Sequence, residues 1–582
     1  MFCCVVVKIL QSCHQTVIFG LYTWPEFFDN NQESNMKISK LNLAIATVLG
    51  ASVSAGAMAM DLYVDTKTKQ IYAEPGKGRE LMGNFEKVAP AKAAVKVDDQ
   101  AEIKAIREDL ALKENAIKAL EEHAKEASAP SAAHVKLDDG IHFATNDGNF
   151  TAGINGRLQV DSQTNFQNLS NNFAGAASSN TPTGNIPATL NDGVALRRGR
   201  LGIEGTMFKN TFYKFEYDFT RGATPAGGVT DAFIGYQFSK PFSVKVGAFK
   251  EPFSMEEATS NRYTTFIQRN MAVDTFVDNL NTYKLGIGAN YSAERWQTGV
   301  SLQTEANGLG KQGSLATGVE TQNRGSGSGD TSWEVNGRAT GLPWMESKTK
   351  FLHVGASGSY ISLNNNYTSD GSFNNGGITF ANSLGANVDR TALLTTGALT
   401  NGSKNTAGTF SADRVIRGGL ESALVYGPFS AQAEYIQANV SGKGYKADSQ
   451  SLDGYYGYMT YFLTGESRNY KSKTGAWDRI KPSHNFDLKG GLGAWELAAG
   501  YDYMNLNTQV IHGGRAATAK FGVNWYPNSH VRVMANLVHV LDINTGTLGA
   551  PNVATTATTN GLAKAWNNAD LDMIETRVQL DW

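Results

Sequence analysis

The sequence predicts an all-β fold: a 16-stranded antiparallel transmembrane β-barrel with a short N-terminal helical coiled-coil extension. Three observations predict it. Apolar and polar residues alternate with a period of two from residue 150 onward, the pattern of strands with one lipid-facing side and one watery side. The links between these segments alternate between short and long. A secretory signal stands in front of them.

The chain has 582 residues, with 61 Gly, 14 Pro and 41% hydrophobic residues. Mean hydropathy is −0.31. No run of 18 apolar residues occurs after the first 60 positions, which excludes a helical membrane protein. Aromatics make up 10% of the chain, too many for a disordered one. A soluble β-sandwich array and a membrane barrel both remain, and the N-terminal region separates them. Met36-Lys37-Ile38-Ser39-Lys40 is a short basic region, Leu41 to Val53 is apolar, and small residues end at Ala57-Met58-Ala59. Residues 36–59 therefore read as a signal peptide cleaved just after Ala59. Residues 1–35 lie outside that layout and read as an overextended start site. All three cysteines (Cys3, Cys4 and Cys13) fall there, so the mature chain is expected to be free of thiols and disulfides. A closed hydrogen-bond ladder needs no such staples.

Residues 60–97 are polar and rich in Ala and Lys, and read as a linker. In 98–126 the period becomes helical. Ile103, Ile106, Leu110, Ile117 and Leu120 recur at three- and four-residue steps, with Lys113 at the one polar seam position. So narrow a stripe buries little unless copies of the helix associate, so a coiled coil is expected. Ala129-Pro130-Ser131 ends it.

From Phe150 the alternation takes over. Phe150, Ala152, Ile154, Leu158 and Val160 interleave with Thr151, Asn155, Arg157 and Gln159. Ile574, Thr576, Val578, Leu580 and Trp582 interleave with Glu575, Arg577, Gln579 and Asp581, and place an aromatic residue last. Strands are predicted near 150–163, 194–207, 211–220, 229–239, 242–250, 283–292, 295–305, 332–340, 351–363, 413–426, 429–440, 452–464, 495–506, 515–526, 530–542 and 571–582. An even barrel with both ends on one side alternates long outer loops with short inner turns. Most links obey. The link 465–494 should be a short turn yet is 30 residues long.

The segments Leu196 to Gly205, Glu216 to Phe219, Asp231 to Tyr236, Gly247 to Ser254, Thr259 to Tyr263 and Gly493 to Leu497 occur in this order. Together they resemble the phosphate-selective porin O and P family of the bacterial outer membrane. The resemblance spans roughly residues 140–582, the expected barrel domain, and does not cover the helix. It implies trimers of 16-stranded barrels, seated in outer-membrane lipids, that pass phosphate or similar small anions past basic residues at a constriction. The segment 98–126 would then be a trimeric coiled coil in the periplasm, free to contact peptidoglycan or another periplasmic component. No nucleic-acid partner is expected.

A formal net charge of −2 says nothing about ion preference, because selectivity comes from charges at the narrow point. The third outer loop, between the fifth and sixth strands, starts at Lys250-Glu251-Pro252. It carries Arg262 and Arg269 against Glu251, Glu256, Glu257, Asp274 and Asp278. Arg198 and Arg200 are assigned to the lumen, since Ala195, Leu201 and Ile203 mark the other face; Arg197 is assigned to that other face, near an interface. The long turn holds Arg468, Lys471, Lys473, Arg479, Lys481 and Lys489 against Glu466, Asp478 and Asp487. It is either a solvated periplasmic segment or a basic plug that focuses positive potential in the pore. The anion-pathway candidates are thus Lys250, Arg262, Arg269, Arg198, Arg200, Arg468, Lys471, Lys473, Arg479 and Lys481.

An enzyme is not expected, nor a cofactor or metal. The eight histidines after the signal (His123, His134, His142, His353, His484, His512, His530 and His539) show no metal-ligand or triad spacing. The run Gly325 to Gly329 lacks the Lys-Ser/Thr of a phosphate loop. The alternatives are a general or sugar-type diffusion porin without strong anion selectivity, and a structural outer-membrane tether acting through 98–126.

Overall fold

The structure is a computed structural model that describes residues 60–85, 99–127, 129, 132–137, 140–169, 189–220, 228–278, 283–306, 332–363, 366–367, 373–375, 378–397, 399, 410–444, 449–545 and 566–582. The expected signal peptide, 36–59, lies outside the described residues.

All sixteen expected strands form. They are β1 (Phe150–Asn168), β2 (Gly193–Met207), β3 (Thr211–Asp218), β4 (Gly228–Gln237), β5 (Phe242–Lys250), β6 (Tyr283–Ser292), β7 (Trp296–Ala306) and β8 (Trp333–Ser347). The ring continues with β9 (Lys350–Ser362), β10 (Phe410–Tyr426), β11 (Phe429–Gly444), β12 (Gln450–Phe462), β13 (Ala494–Asn507), β14 (His512–Tyr526), β15 (Val531–Asn544) and β16 (Asp570–Asp581). Each pairs antiparallel with its neighbours, and β16 closes the ring on β1 from Asp570↔Asn168 to Asp581↔Arg157. Closure leaves the barrel wall no unpaired edge.

The pleat turns alternate side chains outward. On β1, Leu158 and Val160 are exposed while Arg157, Gln159, Asp161 and Gln163 are buried inside. Exposed aromatics gather in two bands. Tyr236, Phe238, Phe242, Tyr291, Trp296, Tyr426 and Tyr461 ring the end with the short turns; Phe166, Phe219, Trp333, Tyr360, Tyr435, Tyr455 and Tyr501 ring the end with the loops. Two aromatic girdles around an apolar band are what a bilayer selects in a barrel. Among the described residues no helix is long and apolar enough to cross a membrane.

Most strands run past their expected ends on the loop side. β8 also continues through Pro343 on the turn side: the register shifts between Gly341 and Trp344, so the proline sits in a bulge where no ladder hydrogen bond is required of it. An unexpected hairpin, Ala133–Lys136 with Ile141–Thr145, pairs with the start of β1, from Ile141↔Ile154 to Ala144↔Thr151. It takes over β1 below the point where Trp582 exchanges backbone hydrogen bonds with Gly156. The Trp582 ring lies 2.3 Å from where a Cβ on residue 156 would stand, so any larger residue there would have to push the ring aside.

Ahead of the barrel, helix α1 (Asp99–Ala127) matches the helical segment expected at 98–126. Ile106, Leu110, Ile117 and Leu120 are all exposed along it. The expected linker 60–97 needs correction, because its first part is a three-stranded sheet of Met60–Asp65, Ile71–Tyr72 and Arg79–Phe85. The sequence signal for it was an Asx turn. Asp65 Oδ1 accepts from the N–H groups of Lys67 and Thr68 at 2.9 and 2.8 Å, which reverses the chain between the first two strands.

Candidate functional site

Among the described residues three segments of the chain occupy the lumen, tied to the wall by ion pairs and hydrogen bonds. The third loop leaves β5 at Lys250. Its Glu251 accepts from Lys284 on β6 and from Arg417 on β10, both at 2.9 Å. Two short helices follow, α2 (Met255–Ala258) and α3 (Met271–Phe276). Ser254 caps α2 by accepting from the Glu257 N–H at 3.2 Å. Arg417 also donates to the Phe276 carbonyl at 2.7 Å, so one arginine holds both ends of the loop. Inward glycines give it room: Phe253 and Phe266 sit 3.1 and 3.0 Å from where Cβ atoms on Gly419 and Gly500 would be.

The fifth loop, between β9 and β10, packs on the third. Phe380 meets Phe276 edge-on at 5.5 Å, and Asn382 donates to Thr275 Oγ1 at 3.0 Å. The backbone N–H of Asn387 reaches Gln163 on β1 at 2.9 Å.

The third segment is the long turn between β12 and β13, which enters from the opposite end. Arg468 donates to Thr265 Oγ1 at 2.6 Å and to Glu496 at 2.9 Å. Trp477 is buried: its N–H donates to Thr259 Oγ1 at 3.2 Å and its indole N–H to Gln432 on β11. Arg338 on β8, paired with Glu421 at 2.6 Å, donates to the carbonyls of Thr474 and Gly475. Burial works against ionisation of Glu466 in this turn. Hydrogen bonds from Thr464 and the Ser483 N–H outweigh it and hold the carboxyl below the usual range, which fixes the turn's two limbs together.

A second set of charges lies on the wall of β1–β5 and on the loops facing it: Arg197, Arg262 and Lys250 are half-buried, while Arg157, Arg198, Arg200 and Glu216 are buried. Arg157 and Arg200 are directly opposite in register, and Glu216 binds both at 2.8 Å. Arg200 also reaches Asp218 at 2.7 Å. Arg262 extends from the third loop to Asn155 at 3.2 Å and lies 3.9 Å from Glu216. Lys250 pairs with Glu257 at 2.7 Å and stays 23% exposed. Above them β2 bulges: Arg198 faces Gln159 while Leu196 faces Val160, so Arg197 is an extra residue. A bulge turns two adjacent side chains to one side. Arg197 therefore points into the barrel, where its Nε donates to Asn387 of the fifth loop at 3.3 Å. This corrects the outward assignment of Arg197. Arg198 donates to Gln159 at 3.0 Å. Among the described residues no carboxylate forms an ion pair with Arg197 or Arg198.

The family description "Phosphate-selective porin O and P" matches residues 172–563. The chain belongs to that family. This porin is 28% identical over 424 residues to Porin O of Pseudomonas aeruginosa, covering 69% of this chain and 86% of the relative. It is 27% identical to an uncharacterized protein of Caulobacter vibrioides, covering 71% and 72%. Solved structures similar to it include OmpT of Vibrio cholerae, with TM-score 0.42, 12% identity and coverage of 74% and 98%. The anion-selective porin from Comamonas acidovorans gives TM-score 0.41, 10% identity and coverage of 74% and 100%.

The ten candidate residues do not form one cluster in this porin. Lys250, Arg262, Arg198 and Arg200 come together on the β1–β5 side. Arg269 is buried inside the third loop, paired with Glu257 at 3.1 Å and donating to the Thr259 carbonyl. Arg468 is buried against Glu496. Arg479 pairs with Asp581 and donates to the Ser529 carbonyl at 2.6 Å, at the turn end. Lys471, Lys473 and Lys481 are exposed. Arg157 was missed, although its place in the β1 alternation pointed inward. Arg197 was missed because a bulge leaves no mark in a strict period of two.

Proposed function

We propose that small anions cross this outer-membrane porin along the β1–β5 wall, passing Arg197 and Arg198 and then Arg262 and Lys250 on the way to the periplasm. One observation supports this path above the others: among the described residues neither Arg197 nor Arg198 is in direct ion-pair contact with a carboxylate, Asp161 and Asp278 acting on them only at longer range, whereas most arginines of the interior have a direct partner. A guanidinium without a counter-ion in a partly dehydrated passage attracts a mobile anion more strongly than one already neutralised. Arg269 and Arg468 then act as braces for the loop and the turn. The solute class is phosphate or a similar small oxyanion, which matches the forked donors of arginine.

The same reading has the barrel assembled as a homotrimer, with α1 in the periplasm as a coiled coil of three chains. Its exposed apolar seam supports that arrangement, because a helix with so narrow a stripe gains burial only from like partners. The test is zero-current potential in planar bilayers under a KCl gradient, followed by phosphate titration. Anion preference with saturable phosphate block that weakens in Arg197→Gln/Arg198→Gln is the expected result. A cation-preferring wild type would overturn the reading and favour a general diffusion pore.

A further inference from the structure

On the outer face of the barrel, near its loop end, β15 and β16 bring together three side chains that are far apart in sequence. His539 and Asp572 are register partners, with Nδ1 and Oδ1 2.7 Å apart. Asp570 stands two residues before Asp572 on the same face of β16, and the donor atoms of all three lie within 4.8 Å of one another. All three are open to solvent in part or fully. Among the described residues neither aspartate is paired with a lysine or arginine, so the histidine is their one charged or chargeable partner.

Several carboxylates of the lumen are matched by bases instead. In the lumen, Asp161, Glu216, Asp218, Glu251 and Glu421 all have basic partners. Directly below the trio the outer face turns apolar, with Leu537 and Ile574 exposed to the lipid band. Two carboxylates two residues apart at that boundary repel each other, and among the described residues an imidazole is what stands against that repulsion.

We propose that His539, Asp570 and Asp572 form a binding site for a divalent transition-metal ion, with Zn²⁺ as the representative. One imidazole nitrogen and two carboxylate oxygens suit such an ion, and they leave a coordination position for water or an external oxygen. The harder ions Ca²⁺ and Mg²⁺ favour all-oxygen sites. A bound ion relieves the carboxylate repulsion and ties β15 to β16 just below their connecting loop. The three side chains face away from the lumen, so the ion does not enter the conduction path.

The test uses the full-length porin, tag-free in detergent and stripped with chelator. It is titrated with Zn²⁺ by calorimetry and with Co²⁺ by visible absorption. One site per chain is expected, weakened at least about tenfold in Asp572→Asn and in His539→Ala, with conductance and phosphate block unchanged in both variants. Either variant that inserts and conducts normally is folded, so loss of binding reads on the site alone. Equal binding by wild type and variants, or no binding by the wild type at millimolar metal, overturns the proposal. So does binding that appears only when lipopolysaccharide is added, since the phosphates of that lipid would then hold the ion.

Discussion

Glu216→Gln should make the channel more anion-selective. The Glu216 carboxylate lies 2.8 Å from Arg157, 2.8 Å from Arg200 and 3.9 Å from Arg262, so it offsets three guanidinium groups at once. Glutamine keeps the shape, and its one carbonyl oxygen can still accept from Arg157 or Arg200. An anion passing about 8 Å away feels the lost charge as roughly 0.5 kcal/mol at a dielectric near 80, and about 2 kcal/mol at an effective value near 20. Salt near 0.1 M roughly halves both, since the Debye length is about 10 Å. A passing cation loses the same attraction, so the permeability ratio of chloride to potassium should rise about 2- to 25-fold, read as a shift in zero-current potential. Raising salt to 1 M should erase most of that shift. Removing one member of a buried ion pair also costs about 3–5 kcal/mol of local stability, but the sixteen-strand ladder does not depend on it and the protein should still insert. An unchanged or lowered anion preference in inserted Glu216→Gln would refute the assignment of the path to this wall.

Other expectations follow from the same geometry. Lys250→Glu should lower or reverse chloride preference and abolish saturable phosphate block; an unchanged zero-current potential would place Lys250 off the path. Arg468→Ala should loosen the long turn and the third loop together, seen as noisier single-channel current, whereas Lys471→Ala with Lys473→Ala should change selectivity far less. Equal effects from both would show that the exposed lysines reach the passing ion. Deleting 99–127 should leave conductance intact and weaken the trimer on semi-native gels. Loss of conductance in inserted protein would mean that this segment helps build the pore. Mass spectrometry of the outer-membrane form should find Met60 or a neighbour at the N-terminus and no cysteine.

The strands were legible because each obeys a single local rule. Leu158 and Val160 could only face lipid if Arg157 and Gln159 faced inward, and the register bears this out. The long turn was legible only as an anomaly of length. What drew it inside was a set of contacts with distant residues, Trp477 with Gln432 and Arg338 with Gly475, none of which has a local signature. Arg269 shows the same limit. Its charge and loop position suggested the constriction, but Glu257 and two loop carbonyls consume its donors. His539 and Asp572 stand 33 residues apart, and only the strand register makes them neighbours.

The inner surface also breaks the rule expected of a watery channel. Near the loop end of β11–β16 the inward residues are Val440, Leu452, Met504, Leu506, Val538, Val540, Leu571 and Met573, and they pack with Phe276, Ile378, Phe380 and Leu394 of the inserted loops. Lipid selected one hydrophobic surface of this chain and a globular interior selected the other. The wall can pair strand by strand as it enters the bilayer. The inner packing needs partners from β10 to β16 together with both loops, so it is available only once the ring is nearly complete. Maturation is therefore expected to run in two stages with separate chemistry. The first makes a tube, and the second converts the tube into a filter by a process that resembles the folding of a small soluble domain. Conditions that unfold soluble cores, such as urea in detergent, should reach the second stage first and leave an open, unselective cylinder behind.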